Sequence, residues 1–205
     1  MLGKPEARVA RRGLLREPHI APLTEFVEAL RAKRKSGCDI PYFDPWDGGV
    51  VAEVLFLLEA PGSKAVQSGF VSRNNPDETA KNFFELNEKA RIPRNRTIMW
   101  NIVPWYIGSS SRIHSATSDD IKAGIQPLMS LLEHLPMLRG IVLLGKKAQC
   151  SSIHIANLRP NVTIFHCPHP SPMFVNRSPL NRDKILTVLR EVADCLGIYR
   201  STTKQ

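Results

Sequence analysis

The segment His169-Pro170-Ser171-Pro172 brings several chemically useful side chains together shortly after an apolar run. Proline fixes the backbone angle φ and removes a backbone donor, so this loop has a set shape before any ligand binds. Two apolar side chains, Met173 and Phe174, follow, and then Arg177. Such a loop could hold a polar ring, contact phosphate and insert an apolar side chain into a stack. A proline-rich surface loop with a capping histidine would look the same, so both interpretations stay open.

Polar and unusual residues also follow three other apolar segments. The predicted strands cover 50–58, 97–103, 141–144 and 162–165. Apolar strands that alternate with helices are typical of a parallel sheet covered on both faces. The predicted fold is therefore an α/β three-layer α/β/α sandwich with a central, mainly parallel, four-stranded sheet. Because ligands bind beyond the carboxyl ends of such strands, the segments that follow the strands should form one site.

Helical periodicity and capping residues predict the helices between these strands. One of them begins at Asn75-Pro76, with asparagine as the N-cap, and should bury Phe83, Phe84 and Leu86. Residues 1–20 are predicted to be a basic, flexible arm, and residues 21–200 a single domain. The predicted helices cover about 22–36, 75–91, 118–135, 146–157 and 181–196.

Four residues near the predicted site edge have side chains suited to binding a planar, polar ring. Asn101 can donate to and accept from a ring edge, or tie down a strand end. Phe70 could stack on a ring or pack in the core. His169 could donate to an oxygen that becomes anionic as a bond breaks. Glu59 could position water, act as a base or cap a loop, and Pro61-Gly62 would let the backbone approach a ligand.

The charge of the chain favours a polyanionic partner. The net charge is +9, and residues 1–35 hold nine Lys/Arg and four Asp/Glu. Nucleic acid is the commonest partner of so basic a chain, although solubility alone could explain the charge. A length of 205 residues with 42% hydrophobic residues fits one well-filled core. No apolar run approaches the roughly 20 residues needed to span a bilayer, and no secretory signal is expected.

The cysteines give no support to a metal centre. Their spacing lacks a Cys-x-x-Cys pair, which argues against a zinc ribbon and a cysteine-ligated iron–sulfur cluster. Cysteines in a chain of this character are expected to stay reduced. The sequence therefore predicts no metal and no cofactor. The four cysteines are Cys38, Cys150, Cys167 and Cys195.

Taken in order, five segments resemble the motifs of the uracil-DNA glycosylase superfamily. The resemblance covers roughly residues 50–195 and is closest to a branch with a Glu-Ala-Pro-Gly motif, whose iron–sulfur cysteines this chain lacks. It implies that uracil is extruded from DNA and that its N-glycosidic bond is hydrolysed through an oxocarbenium-like sugar. The product would be an abasic site, as in base excision repair. The five segments are Leu58–Gly62, Gly69–Val71, Asn101–Pro104, Leu144–Ala148 and His169–Pro172.

The resemblance also implies roles for single residues. His169 would bond the carbonyl oxygen of the leaving uracil, Asn101 would read its edge, and Phe70 would stack on it. Ala60 stands where the best-known branch has a water-activating aspartate, so Glu59 would be the remaining carboxylate. Gly62 stands where that branch has a tyrosine that excludes thymine, which leaves xanthine or hypoxanthine as further substrates. The implied catalytic residues are His169, Glu59 and Asn101, and the implied substrate-binding residues are Phe70, Asn101, Ala60, Pro61 and Gly62.

A second group of residues is expected to contact DNA. Ser171 would hold a phosphate and Met173 or Phe174 would fill the vacated stack. Arg112-Ile113-His114 is similar to a loop in a branch that bonds covalently to uracil-containing DNA, so a covalent trap with weak turnover is an alternative. The implied DNA-binding residues are Ser171, Met173, Phe174, Arg177, Lys146, Arg112 and His114.

One alternative lies outside this superfamily. Lys146 and Lys147 could bind phosphates in a nucleotide hydrolase, but the P-loop pattern near Gly145 is absent. The zinc deaminase signature is absent as well. The expected partner is single- or double-stranded DNA that contains uracil, with no membrane association and a monomeric chain. The expected location is the cytoplasm and nucleoid of a prokaryote, or otherwise the nucleus or mitochondrion.

Overall fold

Strands and helices alternate along most of the chain. The computed structural model describes residues 1–34, 40–108 and 114–199. Its strands are β1 Tyr42–Phe43, β2 Val54–Leu58, β3 Phe70–Val71, β4 Thr97–Asn101, β5 Gly140–Leu144 and β6 Thr163–Cys167. Its α-helices are α1 Pro5–Arg12, α2 Ala21–Ala32, α3 Ser63–Ser68, α4 Glu78–Lys89, α5 Ser118–Glu133, α6 Lys146–Gln149, α7 Ser152–Leu158, α8 Pro172–Val175 and α9 Pro179–Cys195.

A parallel sheet with the strand order β4-β2-β5-β6 forms the centre of the protein. Helices α4, α8 and α9 contact one another, and α2, α5 and α7 form a second connected group. Strands β4 and β5 are buried along their whole length, because helices cover both faces of the sheet. The predicted α/β sandwich with a four-stranded parallel sheet is therefore confirmed.

The register of the sheet brings the carboxyl ends of its strands to one edge. Leu58 at the end of β2 lies opposite Asn101 at the end of β4. Leu144 at the end of β5 lies opposite Cys167 at the end of β6. The segments that follow these four residues therefore start side by side, as the sequence predicted.

The predicted strand over 50–58 is shorter in the structure. Its first part, Gly49–Val51, is a 3-10 turn, and β2 begins at Val54. The amide of Val50 donates to the carbonyl of His19 at 2.8 Å, so it is not available to a neighbouring strand. An apolar run alone cannot reveal such a long-range hydrogen bond.

The helix predicted from Asn75 begins later, at Glu78. Asp77 is its N-cap and accepts a hydrogen bond from the Ala80 amide at 2.9 Å. Asn75 instead donates its side-chain amide to the carbonyl of Phe70. Phe84, predicted to be buried, is 39% exposed, and the helix predicted over 146–157 is divided into α6 and α7.

Residues 1–20 are not a flexible arm in this structure. They form α1, and both Leu2 and Ile20 are buried in the core. Arg11 is also buried and forms an ion pair with Asp44. Burying a guanidinium costs free energy unless an acidic side chain pairs with it. Asp44, the acidic residue that pairs with Arg11, lies far along the chain.

The cysteines of the described residues are free. Cys150 is exposed, Cys167 is buried and Cys195 is half-buried, whereas Cys38 lies outside the described residues. Burial raises the pKa of the Cys167 thiol to about 12, so it stays protonated at neutral pH. Within the described part of the chain, none of the helices is both long and apolar enough to cross a membrane.

Candidate active site

A cavity of about 650 Å³ opens at the carboxyl edge of the sheet. Its wall includes Leu58 at the end of β2, Asn101 at the end of β4 and His169 in the loop after β6. The first residues of α3 and the segment before α4 complete the wall. The sheet edge thus brings together side chains that are widely separated in sequence.

His169 is held closely against the turn that ends β5. Gly145 in this turn has a φ of +89°, a conformation that L-residues rarely adopt. A Cβ atom on Gly145 would lie 3.1 Å from the Cβ of His169. The glycine therefore provides both the turn and the room for the imidazole.

The loop that carries His169 is anchored from the other side by helix α4. The side-chain amide of Asn82 donates to the carbonyl of Pro170 at 3.2 Å. Arg182 of α9 donates to the Asn82 side-chain oxygen at 3.2 Å and to Glu85 at 2.6 Å. Two helices therefore fix the loop immediately after the histidine.

The environment of His169 favours its neutral form. Burial lowers the pKa of His169, and the nearby carboxylates of Glu59 and Asp77 raise it by a smaller amount. A neutral imidazole still has one N–H to donate. It can therefore donate a hydrogen bond to an oxygen that gains negative charge, without carrying a full positive charge itself.

Asn101 is the last residue of β4, and only 3% of its surface is exposed. Its side-chain nitrogen is buried and has no hydrogen-bond partner among the described residues. A buried donor left without a partner costs about 1–3 kcal/mol. This amide is therefore available to a ligand that offers an acceptor in the cavity.

Glu59 lines the cavity and also fixes a neighbouring segment. One of its carboxylate oxygens accepts hydrogen bonds from the Ala116 amide at 2.6 Å and the Ser115 hydroxyl at 2.8 Å. The side chain therefore ties the end of β2 to the residues before α5. This placement fits a loop cap and is compatible with contact to water, so both interpretations of Glu59 remain.

The three residues after Glu59 all line the cavity. They are Ala60, Pro61 and Gly62. A Cβ atom on Gly62 would meet no other atom within 4 Å, so the space beside this residue is open. The chain thus has no bulky side chain here to exclude a base with an additional methyl group.

Phe70 does not lie on the cavity wall. It is fully buried in β3, where it pairs with Tyr42 of β1. The aromatic residues on the wall are Phe83 and Tyr106. Stacking of Phe70 on a bound ring stays a prediction, since Phe70 is buried and is not among the residues that line the cavity, whereas its neighbour Val71 is.

The loop after His169 forms part of the cavity rim. Ser171 and Met173 line the cavity, and Met173 is 83% exposed. Phe174 packs against the core instead, so Met173 is the apolar side chain that projects into solvent. Arg177 is exposed as well.

The remaining predicted DNA contacts are distributed around the site. Lys146 is exposed at the start of α6. His114 is exposed and lies on the cavity wall. Arg112 falls outside the described residues.

Three polar residues of the site were not predicted for the roles that the structure gives them. Asp77 and Asn75 both line the cavity, although the sequence suggested only a helix cap at Asn75. Aspartate is a preferred N-cap residue, so the sequence could have indicated that Asp77 caps α4, where it accepts a hydrogen bond from the Ala80 amide. Asn82 had no such signal, because its role depends on a contact with a loop 88 residues away.

The described residues also contain no group of three or more His, Cys, Asp or Glu side chains placed to hold a metal ion. The polar groups on the cavity wall are amides, hydroxyls, two imidazoles, carboxylates and the ammonium group of Lys64. These groups are suited to hydrogen bonding with a polar ring.

The chain is similar to proteins of one known superfamily. The model of the uracil DNA glycosylase superfamily matches residues 45–193, well over half of the chain. The chain is also similar to a solution NMR structure of a candidate uracil DNA glycosylase from Methanosarcina acetivorans, with 17% identity and a TM-score of 0.49 over 70% of this chain and 92% of that one. The comparison with curated protein sequences found no match. From the family match, the chain belongs to the uracil-DNA glycosylase superfamily.

Proposed function

We propose that this protein hydrolyses the N-glycosidic bond of uracil in DNA, releasing uracil and leaving an abasic site. Membership of the superfamily supports a glycosylase of this type. The observation that carries the proposal is that Asn101 and His169 line one cavity. The side-chain nitrogen of Asn101 has no partner among the described residues, and burial lowers the pKa of His169, which favours its neutral form.

The proposed reaction begins when uracil is extruded from the DNA into the cavity. The bond between the uracil nitrogen and the sugar C1′ breaks, and its electron pair leaves with the base. Negative charge then develops on a uracil carbonyl oxygen, to which His169 donates its N–H. One such hydrogen bond is worth roughly 3 kcal/mol, or a hundredfold or more in rate.

Water completes the proposed reaction by adding to C1′ and losing a proton. Glu59 is the proposed residue that orients this water, since its carboxylate lies on the cavity wall next to Ala60. Asn101 holds the base edge during the bond cleavage. Phe83 lines the cavity and is the proposed aromatic surface beside the base.

DNA is the proposed partner. The net charge of +9 favours binding to a polyanion. Met173 projects from the rim and is the proposed side chain that fills the gap left by the extruded base. Ser171, Lys146 and Arg177 are proposed phosphate contacts, and the chain is proposed to act as a monomer.

His114 favours a second candidate function. Its exposed side chain lies on the same cavity wall as His169. In this alternative, an imidazole nitrogen of His114 bonds to C1′ as the base leaves, and uracil carries away the electron pair of the broken bond. The product would be a covalent protein–DNA adduct with weak turnover.

One assay separates these functions. The protein is incubated with an oligonucleotide that contains one uracil, alongside a thymine control, followed by alkali and a denaturing gel. Strand cleavage at uracil alone supports hydrolysis. A heat-stable band of lower mobility, lost in His114→Ala, supports the covalent trap. No change in either substrate would contradict both functions.

A further inference from the structure

Two residues that line the cavity each have a buried amide atom without a hydrogen-bond partner among the described residues. Seven buried side-chain nitrogen or oxygen atoms of the described residues have no hydrogen-bond partner. Only two of them belong to residues that line the cavity, namely the nitrogen of Asn101 and the oxygen Oδ1 of Asn75. One is a donor and the other an acceptor.

The orientation of the Asn75 amide is fixed by its surroundings. Its nitrogen donates to the carbonyl of Phe70 at 2.9 Å, which identifies the other atom of the amide as the oxygen. The residue is only 3% exposed. The backbone amide of Asn75 also donates to the carbonyl of Ser72 at 3.3 Å. The acceptor is therefore held in place in the absence of a ligand.

We propose that Oδ1 of Asn75 accepts a hydrogen bond from an N–H group of the extruded base and thereby makes Asn75 a second specificity-determining residue beside Asn101. This inference rests on the proposed glycosylase function. A donor and an acceptor on one wall complement a ring that presents a carbonyl and an N–H. A base without that N–H would leave Oδ1 unpaired or place it against another acceptor, and the binding site would reject it.

The base that supplies this N–H could have one ring N–H or two. Uracil has one ring N–H when it is attached to the sugar, and hypoxanthine likewise has one. Xanthine has two. If Oδ1 of Asn75 is reached only by the second N–H of xanthine, while the side-chain nitrogen of Asn101 donates to a ring carbonyl, Asn75 would select for xanthine. If Asn75 takes the single N–H, it contributes to uracil recognition directly.

The chain offers a matched control for this test. Asn87 also donates its side-chain nitrogen to a backbone carbonyl, that of Phe83 at 2.8 Å. Its Oδ1 is likewise buried and unpaired among the described residues, but Asn87 does not line the cavity. Asn87→Leu therefore reproduces the loss of one side-chain hydrogen bond to a backbone carbonyl at a residue that does not itself line the cavity.

The experiment measures single-turnover base release from single-stranded oligonucleotides containing uracil, hypoxanthine or xanthine. The proteins are the wild type, Asn75→Leu and Asn87→Leu, with thermal melting as a check of folding. We expect Asn75→Leu to release at least one of these bases about tenfold to a hundredfold more slowly than Asn87→Leu does. Slower uracil and hypoxanthine release identifies the single ring N–H, and slower xanthine release alone identifies the second N–H.

The outcomes distinguish this inference from the function on which it rests. No release of any base by the wild type would contradict the proposed function and the inference together. Release by the wild type, with equal rates for Asn75→Leu and Asn87→Leu on every base, would overturn the role of Asn75 alone. If Asn75→Leu does not fold, Asn75→Ser is the smaller change to which the same comparison applies.

Discussion

Gly145→Ala tests how the structure positions the proposed catalytic histidine. At a φ of +89°, an alanine would be strained by about 1–3 kcal/mol. Its Cβ would also lie 3.1 Å from the Cβ of His169, so the imidazole must move by a few tenths of an ångström. Since a displacement of about 1 Å can cost about a hundredfold in rate, we expect uracil release to slow about tenfold.

Gly197→Ala is the matched control for this variant. Gly197 also has a positive φ, +74°, but a Cβ there would meet no other atom within 4 Å. Both variants should have a lower free energy of unfolding in urea. Only Gly145→Ala should also release uracil more slowly in a single turnover at saturating enzyme. If Gly145→Ala releases uracil as fast as Gly197→Ala, the contact with Gly145 does not set the position of His169.

Three further predictions follow from other contacts. Asn82→Ala removes the hydrogen bond to the Pro170 carbonyl, so the single-turnover rate should fall about tenfold with little change in DNA affinity by fluorescence anisotropy; equal losses in both would argue against a positioning role. Arg11→Ala leaves Asp44 buried with fewer cationic partners, so the free energy of unfolding measured in urea should fall by about 3 kcal/mol. A change below about 0.5 kcal/mol would show that the ion pair with Asp44 does not anchor α1. Burial lowers the pKa of His169 from its usual 6.5, so below about pH 6.5 the unfolded chain binds more protons than the folded chain. The free energy of unfolding should therefore fall as the pH drops through that value. If it falls as steeply in His169→Gln, other groups cause the effect.

The sheet and the location of the site could be predicted from the sequence. Apolar runs that alternate with helical periodicity require a covered parallel sheet, and its topology gathers the strand ends at one edge. The placement of Asn101 and His169 on one cavity wall follows from this rule. Asn101 ends an apolar strand and His169 follows one closely, so their positions depend mainly on local pattern and sheet geometry.

Features that depend on contacts between distant segments could not be predicted. The fixed position of α1 depends on the ion pair between Arg11 and Asp44, and composition alone suggested a mobile basic arm. Phe70 lies in β3, which pairs with β1, and both strands are too short to give a periodic signal. The unpaired oxygen of Asn75 becomes visible only once its nitrogen is seen to bond the Phe70 carbonyl.

Single-turnover uracil release by Asn101→Ala and His169→Ala tests the central claim most directly. Both residues are proposed to hold the same extruded base, one at its edge and the other at the oxygen that gains charge. We expect each variant to fold and to release uracil at least ~100-fold more slowly than the wild type. Near-normal release by both folded variants would contradict the claim that this cavity is where the glycosidic bond is broken.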